Sequence, residues 1–189
     1  MKRRDFIKYT GIIAALCGTH SLYSFSKGDI DNDTIWEKKK ICLIASAGGH
    51  LEQVRQLKDV IAKYDTYYVV PKVKSTEKMK QKKYLVDDML RTNKVVFMLR
   101  FIKMCFQQLL IFLKEWPDVI LTTGAGVAIP TCLLAKVFRK KVIYIESFAR
   151  INTPNKTGML IYKFADLFIV QWESLLEYYP KAVYGGWIY

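Results

Sequence analysis

Gly48-Gly49-His50 joins an apolar run, Ile41-Cys42-Leu43-Ile44-Ala45, to a segment of helical period that begins Leu51-Glu52-Gln53. A strand that stops at small residues just before a helix leaves main-chain N–H groups unpaired where the helix dipole is positive, and such a turn can hold a phosphate. His50 stands at the same turn, where a neutral imidazole has the chemistry to take a proton from an attacking hydroxyl. Thr123-Gly124-Ala125-Gly126 follows a second apolar run and offers main-chain N–H groups for a diphosphate. Glu146 ends a third run, with Arg150 shortly after it. That carboxylate could orient a hydroxyl, accept a proton, or pair with Arg150. Each cluster also has a structural reading: paired glycines in a tight turn, close helix-on-strand packing, a lone histidine in the framework. Ser46-Ala47-Gly48-Gly49-His50 lacks the three spaced glycines of a dinucleotide fingerprint and the Gly-Lys-Ser/Thr of a P-loop.

The elements that must position these clusters alternate. Residues 41–46, Thr66-Tyr67-Tyr68-Val69-Val70 before Pro71, Val119-Ile120-Leu121-Thr122-Thr123, Lys141-Val142-Ile143-Tyr144-Ile145-Glu146 and Leu167-Phe168-Ile169-Val170 are short apolar runs that predict buried parallel strands. Leu51, Val54, Leu57, Val60 and Ile61 predict one amphipathic helix over 51–63, and helical patterns recur over 95–115, from Ile129-Pro130 to Val137, and from Gly158 to Phe164. Lysine-rich residues 72–83 read as a solvated, mobile loop, with phosphate binding as the sharper alternative. Trp116-Pro117-Asp118 is a breaker, and residues 147–158 read as a polar loop. The helix over 95–115 is apolar on nearly every face, with Arg100, Lys103 and Lys114 interspersed. It is either a core helix or one that packs on the sheet and also meets lipid headgroups. Strands alternating with helices predict an α/β fold with a Rossmann-like parallel sheet, in which ligands bind outside the carboxyl ends of the strands. Ser46 to His50, Thr122 to Gly126 and Glu146 to Arg150 should therefore meet on one rim.

Composition narrows the partners. The chain has 189 residues and a formal charge of +13, with 22 Lys/Arg against 12 Asp/Glu after residue 40. Such an excess suits an anionic partner or a solvated surface. No ladder of arginines and aromatics and no reading helix supports nucleic acid, so none is expected. Cys17, Cys42, Cys105 and Cys132 are far apart and read as free thiols, and His20 and His50 are too few for a histidine-rich centre, so no metal or cofactor is expected. Residues 1–40 read as a separate segment before a domain over 41–189. Lys2-Arg3-Arg4-Asp5-Phe6 before a short apolar stretch suits a twin-arginine export signal, an interfacial anchor with a basic flank, or an extension with no role, and residues 27–40 suit a linker.

Taken together, Ala45-Ser46-Ala47-Gly48-Gly49-His50-Leu51-Glu52-Gln53, Thr122-Thr123-Gly124-Ala125-Gly126-Val127-Ala128-Ile129-Pro130 and Tyr144-Ile145-Glu146-Ser147-Phe148-Ala149-Arg150 resemble one family. It is the oligosaccharide-biosynthesis family that contains the membrane-anchoring subunit of the eukaryotic dolichol-linked N-acetylglucosaminyltransferase and bacterial capsule and exopolysaccharide enhancer subunits. Tyr179-Pro180-Lys181-Ala182 and Gly185-Gly186 fit the bacterial branch. More distantly, the rim is similar to the acceptor half of the peptidoglycan N-acetylglucosaminyltransferase. The resemblance implies the acceptor-side half of a split GT-B fold, partnered by a separate donor-binding glycosyltransferase subunit. It further implies a polyprenyl-diphosphate-linked acceptor and a membrane surface, at the cytoplasmic face of the plasma membrane. Gly48, Gly49, Thr123, Gly124, Ala125, Gly126 and Arg150 would bind the acceptor, and His50 and Glu146 would be the catalytic candidates. The alternative is a non-catalytic scaffold that recruits and stabilises the partner.

Overall fold

The computed structural model describes residues 39–88 and 93–188. The expectations for residues 1–38 and for Tyr189 lie outside the described residues. Strands β1 (Lys40–Ile44), β2 (Asp65–Pro71), β3 (Lys83–Val86), β4 (Val119–Thr122), β5 (Lys141–Ile145), β6 (Leu167–Val170) and β7 (Val183–Tyr184) form one sheet in the order β3-β2-β1-β4-β5-β6-β7. Every neighbouring pair is parallel. Helices α1 (Gly49–Arg55), α2 (Lys58–Lys63), α3 (Lys74–Glu77), α4 (Lys94–Glu115), α5 (Ala128–Val137) and α6 (Lys156–Tyr162) connect them, with a 3-10 turn at Glu173–Glu177.

The apolar runs form strands because both sheet faces are covered, so residues of either parity can be apolar. Ile41 and Leu43 join Leu51, Val54, Leu57 and Val60 of the α1–α2 side in one core. Cys42 and Ile44 face the other way, toward Met104 and Phe112 of α4 and Ala128, Cys132 and Ala135 of α5. Cys42, Cys105 and Cys132 are free thiols, and burial pushes the Cys42 thiol up to about 12.

Several boundaries differ from expectation. The helix expected over 51–63 is two helices, because the chain turns at Gln56 and Leu57 so that Leu57 enters the core, 1% exposed. Strand β2 runs through Pro71 rather than stopping before it, and Pro71 aligns with Val86 of β3. Residues 72–83 are not one mobile loop. Thr76 is buried there, donates its hydroxyl to the Pro71 carbonyl at 2.5 Å and accepts from Val73 N–H at 3.1 Å, which folds α3 back onto the sheet. Helix α6 begins earlier than Gly158, because the Asn155 side chain caps it by accepting Gly158 N–H.

Helix α4 buries a narrow face: Met104, Gln108, Phe112 and Glu115. Gln108 fastens it to α5, donating to the Val127 carbonyl at 2.9 Å and accepting from Thr131 N–H and Oγ1. Phe101 and Ile111 are half-buried against the same core, while Val95, Met98, Leu99, Ile102, Phe106, Leu110 and Leu113 are exposed. The helix is long and apolar enough to cross a membrane by length and composition, yet one face is occupied by this sheet. The helix runs from the carboxyl toward the amino ends of the strands. Lys103 pairs with Asp87, just past the carboxyl end of β3, at 2.9 Å. Glu115 meets Lys40 at the start of β1 and Lys82 just before β3, at 3.2 and 2.9 Å, and accepts the Tyr84 hydroxyl.

Candidate functional site

The chain leaves β1 toward β2 and β3 and returns to β4 on the other side of β1. Carboxyl ends that diverge at such a reversal open a crevice, and both glycine-bearing turns lie there. Gly48 ends the β1 turn with φ 88, a backbone that glycine adopts readily. No atom lies within 4 Å of where a Cβ on Gly48 or Gly49 would sit, so this turn faces open space. The first N–H groups of α1 have no partner within the helix.

His50 is fixed by the β4 turn. Its Nδ1 lies 2.9 Å from the Thr123 carbonyl, and Thr123 Oγ1 donates to the His50 carbonyl at 2.9 Å. A carbonyl only accepts, so Nδ1 carries the proton and Nε2 keeps its lone pair. Burial lowers the His50 pKa from the usual 6.5, the Thr123 contact opposes that shift, and the charge of Arg150 lowers it further. The ring is therefore neutral at pH 7. Thr123 and Gly124 are buried. A Cβ on Gly124, whose φ is 112, would come 2.6 Å from Tyr144 Oη and 3.4 Å from His50 Cε1. These two residues seat the imidazole, while Ala125 (φ 71) and Gly126 are the partly open positions of the turn.

Glu146 sits beneath the rim, 0% exposed. Oε1 accepts from Ser147 N–H at 2.9 Å and from the Asn155 amide, and Oε2 accepts the Tyr179 hydroxyl at 3.0 Å. Burial raises its pKa, against the lowering effect of those donors and of Arg150. Asn155 also donates to Tyr144 Oη at 3.1 Å. A Cβ on Gly158 would come 2.5 Å from Glu146 Oε2 and 2.8 Å from Tyr179 Oη, so only glycine lets α6 approach this carboxylate. Glu146 is thus an anchor for the loop over 147–155, and Arg150 stands exposed on that loop. The three expected loops do converge on one rim: His50, Thr123 and Gly124 touch, and Tyr144 with Asn155 continues the contact to Glu146.

Tyr144, Asn155 and Tyr179 belong to the site framework and were not expected as such. Tyr144 lies two residues before Glu146, a same-face spacing on a strand, and Asn155 before Lys156-Thr157-Gly158 has the form of a helix cap. Tyr179 stands in the Tyr179-Pro180-Lys181-Ala182 ending, but its bond to Glu146 has no local signal, because it reaches the carboxylate from far along the chain.

Known structures share this architecture. Acinetobacter baumannii MurG superposes with a TM-score of 0.58 at 17% identity, over 72% of this chain and 42% of that one. A putative UDP-N-acetylglucosamine 2-epimerase from Listeria monocytogenes gives 0.54 at 15% identity, over 74% and 41%. With the seven-stranded order, these likenesses give the fold as one Rossmann-like half of a GT-B architecture. In sequence, the UDP-N-acetylglucosamine transferase subunit ALG14 of Homo sapiens is 42% identical over 76 residues, 37% of this chain and 35% of its own length. The Candida albicans subunit of the same name is 40% identical over 80 residues, 39% of this chain and 36% of its own. The chain therefore matches little more than a third of the length of these relatives. The family described as "Oligosaccharide biosynthesis protein Alg14 like" spans residues 41–188, from Ile41 of β1 to Ile188, which joins the same core, and the chain belongs to it.

Proposed function

We propose that this chain is the acceptor-binding, membrane-associated subunit of a two-chain glycosyltransferase that extends a polyprenyl-diphosphate-linked sugar, in capsule or exopolysaccharide synthesis. The observation that carries the reading is the neutral His50, its Nε2 lone pair free of the Thr123 contact, at the crevice beside the open Gly48-Gly49 turn. Glycosyl transfer to a hydroxyl forms a C–O bond at the sugar's anomeric carbon, expels the nucleotide diphosphate, and requires the hydroxyl proton to leave. His50 Nε2 takes that proton. Gly48, Gly49, Ala125 and Gly126 turn their main chain toward the acceptor diphosphate, and Arg150 adds positive charge at the same rim. Glu146 acts through Asn155 and the loop, as a positioning residue. One Rossmann-like half supplies one side of a GT-B cleft, and the relatives are named as transferase subunits, which supports assigning the activated sugar to a separate donor-binding chain.

The membrane surface falls to α4. Its exposed stripe from Val95 to Leu113 is flanked by Lys94, Arg100, Lys103 and Lys114, the pattern of a helix lying at the interface of an anionic leaflet. A nucleotide-sugar donor places the work at the cytoplasmic face of the plasma membrane. The test is reconstitution: the purified chain alone transfers no sugar, and adding the donor-binding chain restores transfer to a polyprenyl-diphosphate acceptor. Robust transfer by the isolated chain overturns the reading. Rim variants that leave the reconstituted rate untouched would reassign the chain as a scaffold.

A further inference from the structure

A cavity of about 420 Å³ opens past the carboxyl ends of β2 and β3, on the β3 side of the sheet rather than at the β1–β4 reversal, and the first half of α4 completes its wall. Lys72, Asp87, Asp88, Leu99, Arg100 and Lys103 line it. The volume falls in the range of small-ligand sites, about 300–1,000 Å³. Its frame is fixed. Lys72 N–H donates to the Val86 carbonyl at 2.8 Å, which holds the chain after β2 beside β3. Asp87 is tied twice: its N–H donates to Gln107 Oε1 at 2.9 Å, and its carboxylate pairs with Lys103 at 2.9 Å. Among the described residues, no ion pair engages Lys72, Arg100 or Asp88. Two cations and one carboxylate thus face one cavity uncompensated, next to Leu99, which is 63% exposed on the apolar stripe of α4.

The helix sorts its own faces. Side chains three, four or seven residues apart lie along one side of a helix. Arg100, Lys103, Gln107 and Lys114 share such spacings and form a polar row on the flank toward β3, where Lys114 Nζ lies 5.4 Å from the centroid of the Tyr84 ring. Leu99, Ile102, Phe106 and Leu113 repeat the same spacings one step around the helix and are exposed. A helix divided in this way suits an interface, with acyl chains against one row and head groups beside the other. The cavity lies where the polar row meets the end of β2. The phosphate-binding alternative for the lysine-rich stretch after Pro71 thereby narrows to Lys72.

We propose that this cavity holds the head group of one phosphatidylglycerol molecule, an inference that rests on the membrane reading of α4 above. The phosphodiester carries a single negative charge and accepts from the Lys72 ammonium and the Arg100 guanidinium. The glycerol hydroxyls beyond it donate to the Asp88 carboxylate. One negative charge on the head group offsets the one surplus positive charge of the three uncompensated side chains. Other head groups match less well. Choline has no N–H or O–H to give Asp88. An ethanolamine head group is neutral overall and leaves the surplus positive charge standing. Phosphatidate has no hydroxyl beyond its phosphate and turns additional negative charge toward Asp88.

The experiment is quantitative flotation of the full chain with phosphatidylcholine vesicles that carry phosphatidylglycerol, phosphatidate or phosphatidylethanolamine, the two anionic sets matched in surface charge. Wild-type protein binds the phosphatidylglycerol vesicles about fivefold more tightly than the phosphatidate vesicles, and Asp88→Ala removes that preference. Lys72→Gln weakens binding to phosphatidylglycerol vesicles about 20-fold. Lys114→Gln, which deletes the same charge from the flank of α4 outside the cavity, weakens it about fivefold, as a charge near an anionic surface does. Equal losses in the two lysine variants, no preference between the anionic lipids, or tighter binding to phosphatidylethanolamine overturns the head-group site and leaves the membrane reading standing. Release of the protein by inorganic phosphate at constant ionic strength makes the cavity a free-phosphate site and overturns the assignment too. Wild-type protein that floats with none of the vesicles overturns the membrane reading, and the site with it.

Discussion

At the scale of single residues, the tautomer of His50 decides what the crevice can do. Because Nδ1 is committed to the Thr123 carbonyl, removing the ring deletes the Nε2 proton acceptor together with that bond between the two turns. His50→Ala in the reconstituted enzyme lowers kcat by about 100-fold with the two chains still co-purifying, the magnitude general-base loss usually carries. Wild-type kinetics check the protonation state. The working form is neutral and its pKa is lowered from 6.5, so the rate is flat through neutrality and falls on an acid limb below 6.5. An acid limb centred above pH 7 would count against His50. The same shift acts on stability. The unfolded chain binds this proton more readily than the folded one, so stability is lost as pH falls from 6.5 toward the lowered value. Gly124 is the second test at this scale. Gly124→Ala combines a positive φ with a 2.6 Å approach to Tyr144 Oη, and destabilises the fold by about 2 kcal/mol in urea titration. An unchanged midpoint would mean that the turn relaxes freely. Little of this was legible beforehand. His50 and Thr123 were picked out separately, but a bond to a main-chain carbonyl leaves no mark on side-chain types. Glu146 was picked out as a reacting group, and its burial under Asn155 and Tyr179 depends on contacts between distant segments.

At the scale of elements, legibility followed apolar contrast. Strands β1, β2, β4, β5 and β6 could be read because each is a short apolar run between polar or small residues, with both faces covered. Strand β3 could not, since Lys83-Tyr84-Leu85-Val86 follows a lysine-rich stretch and gains its register only from β2. Two-residue β7 is too short to carry a pattern. Helix α4 was ambiguous in sequence because it is apolar on two faces for two reasons: Met104 and Phe112 meet the core, and Leu99, Ile102 and Phe106 meet solvent. That distinction gives a direct test. Leu99→Glu with Ile102→Glu abolishes flotation with phosphatidylglycerol vesicles and leaves circular dichroism unchanged, because both side chains are more than half exposed. Retained flotation would move the membrane contact to another surface.

At the scale of the whole molecule, the two ends of the sheet do different work. The amino ends of the strands are clamped by Glu115, which holds Lys40, Lys82 and Tyr84 together. Burial alone would raise this carboxyl, but hydrogen bonds from Tyr84, Lys82 and Lys40 outweigh it and hold the pKa at about 2. A carboxylate depressed in this way stabilises the fold above the usual 4.5, and that contribution disappears as pH falls toward 2. Glu115→Gln therefore lowers the melting temperature at pH 7 and flattens its decline between pH 4.5 and 2. Parallel wild-type and variant curves would show that the clamp does not bear on acid stability. The carboxyl ends carry the crevice, and α4 begins on their side of the sheet. On the acceptor-binding reading, a substrate tethered in the leaflet approaches the imidazole from the side of α4, the helix that Gln108 fastens to Val127 after the β4 turn, without being extracted into water. Encounter is then two-dimensional. Turnover in mixed micelles follows the mole fraction of acceptor in the surface, and diluting that surface with inert detergent slows the enzyme even when the bulk concentration is held constant.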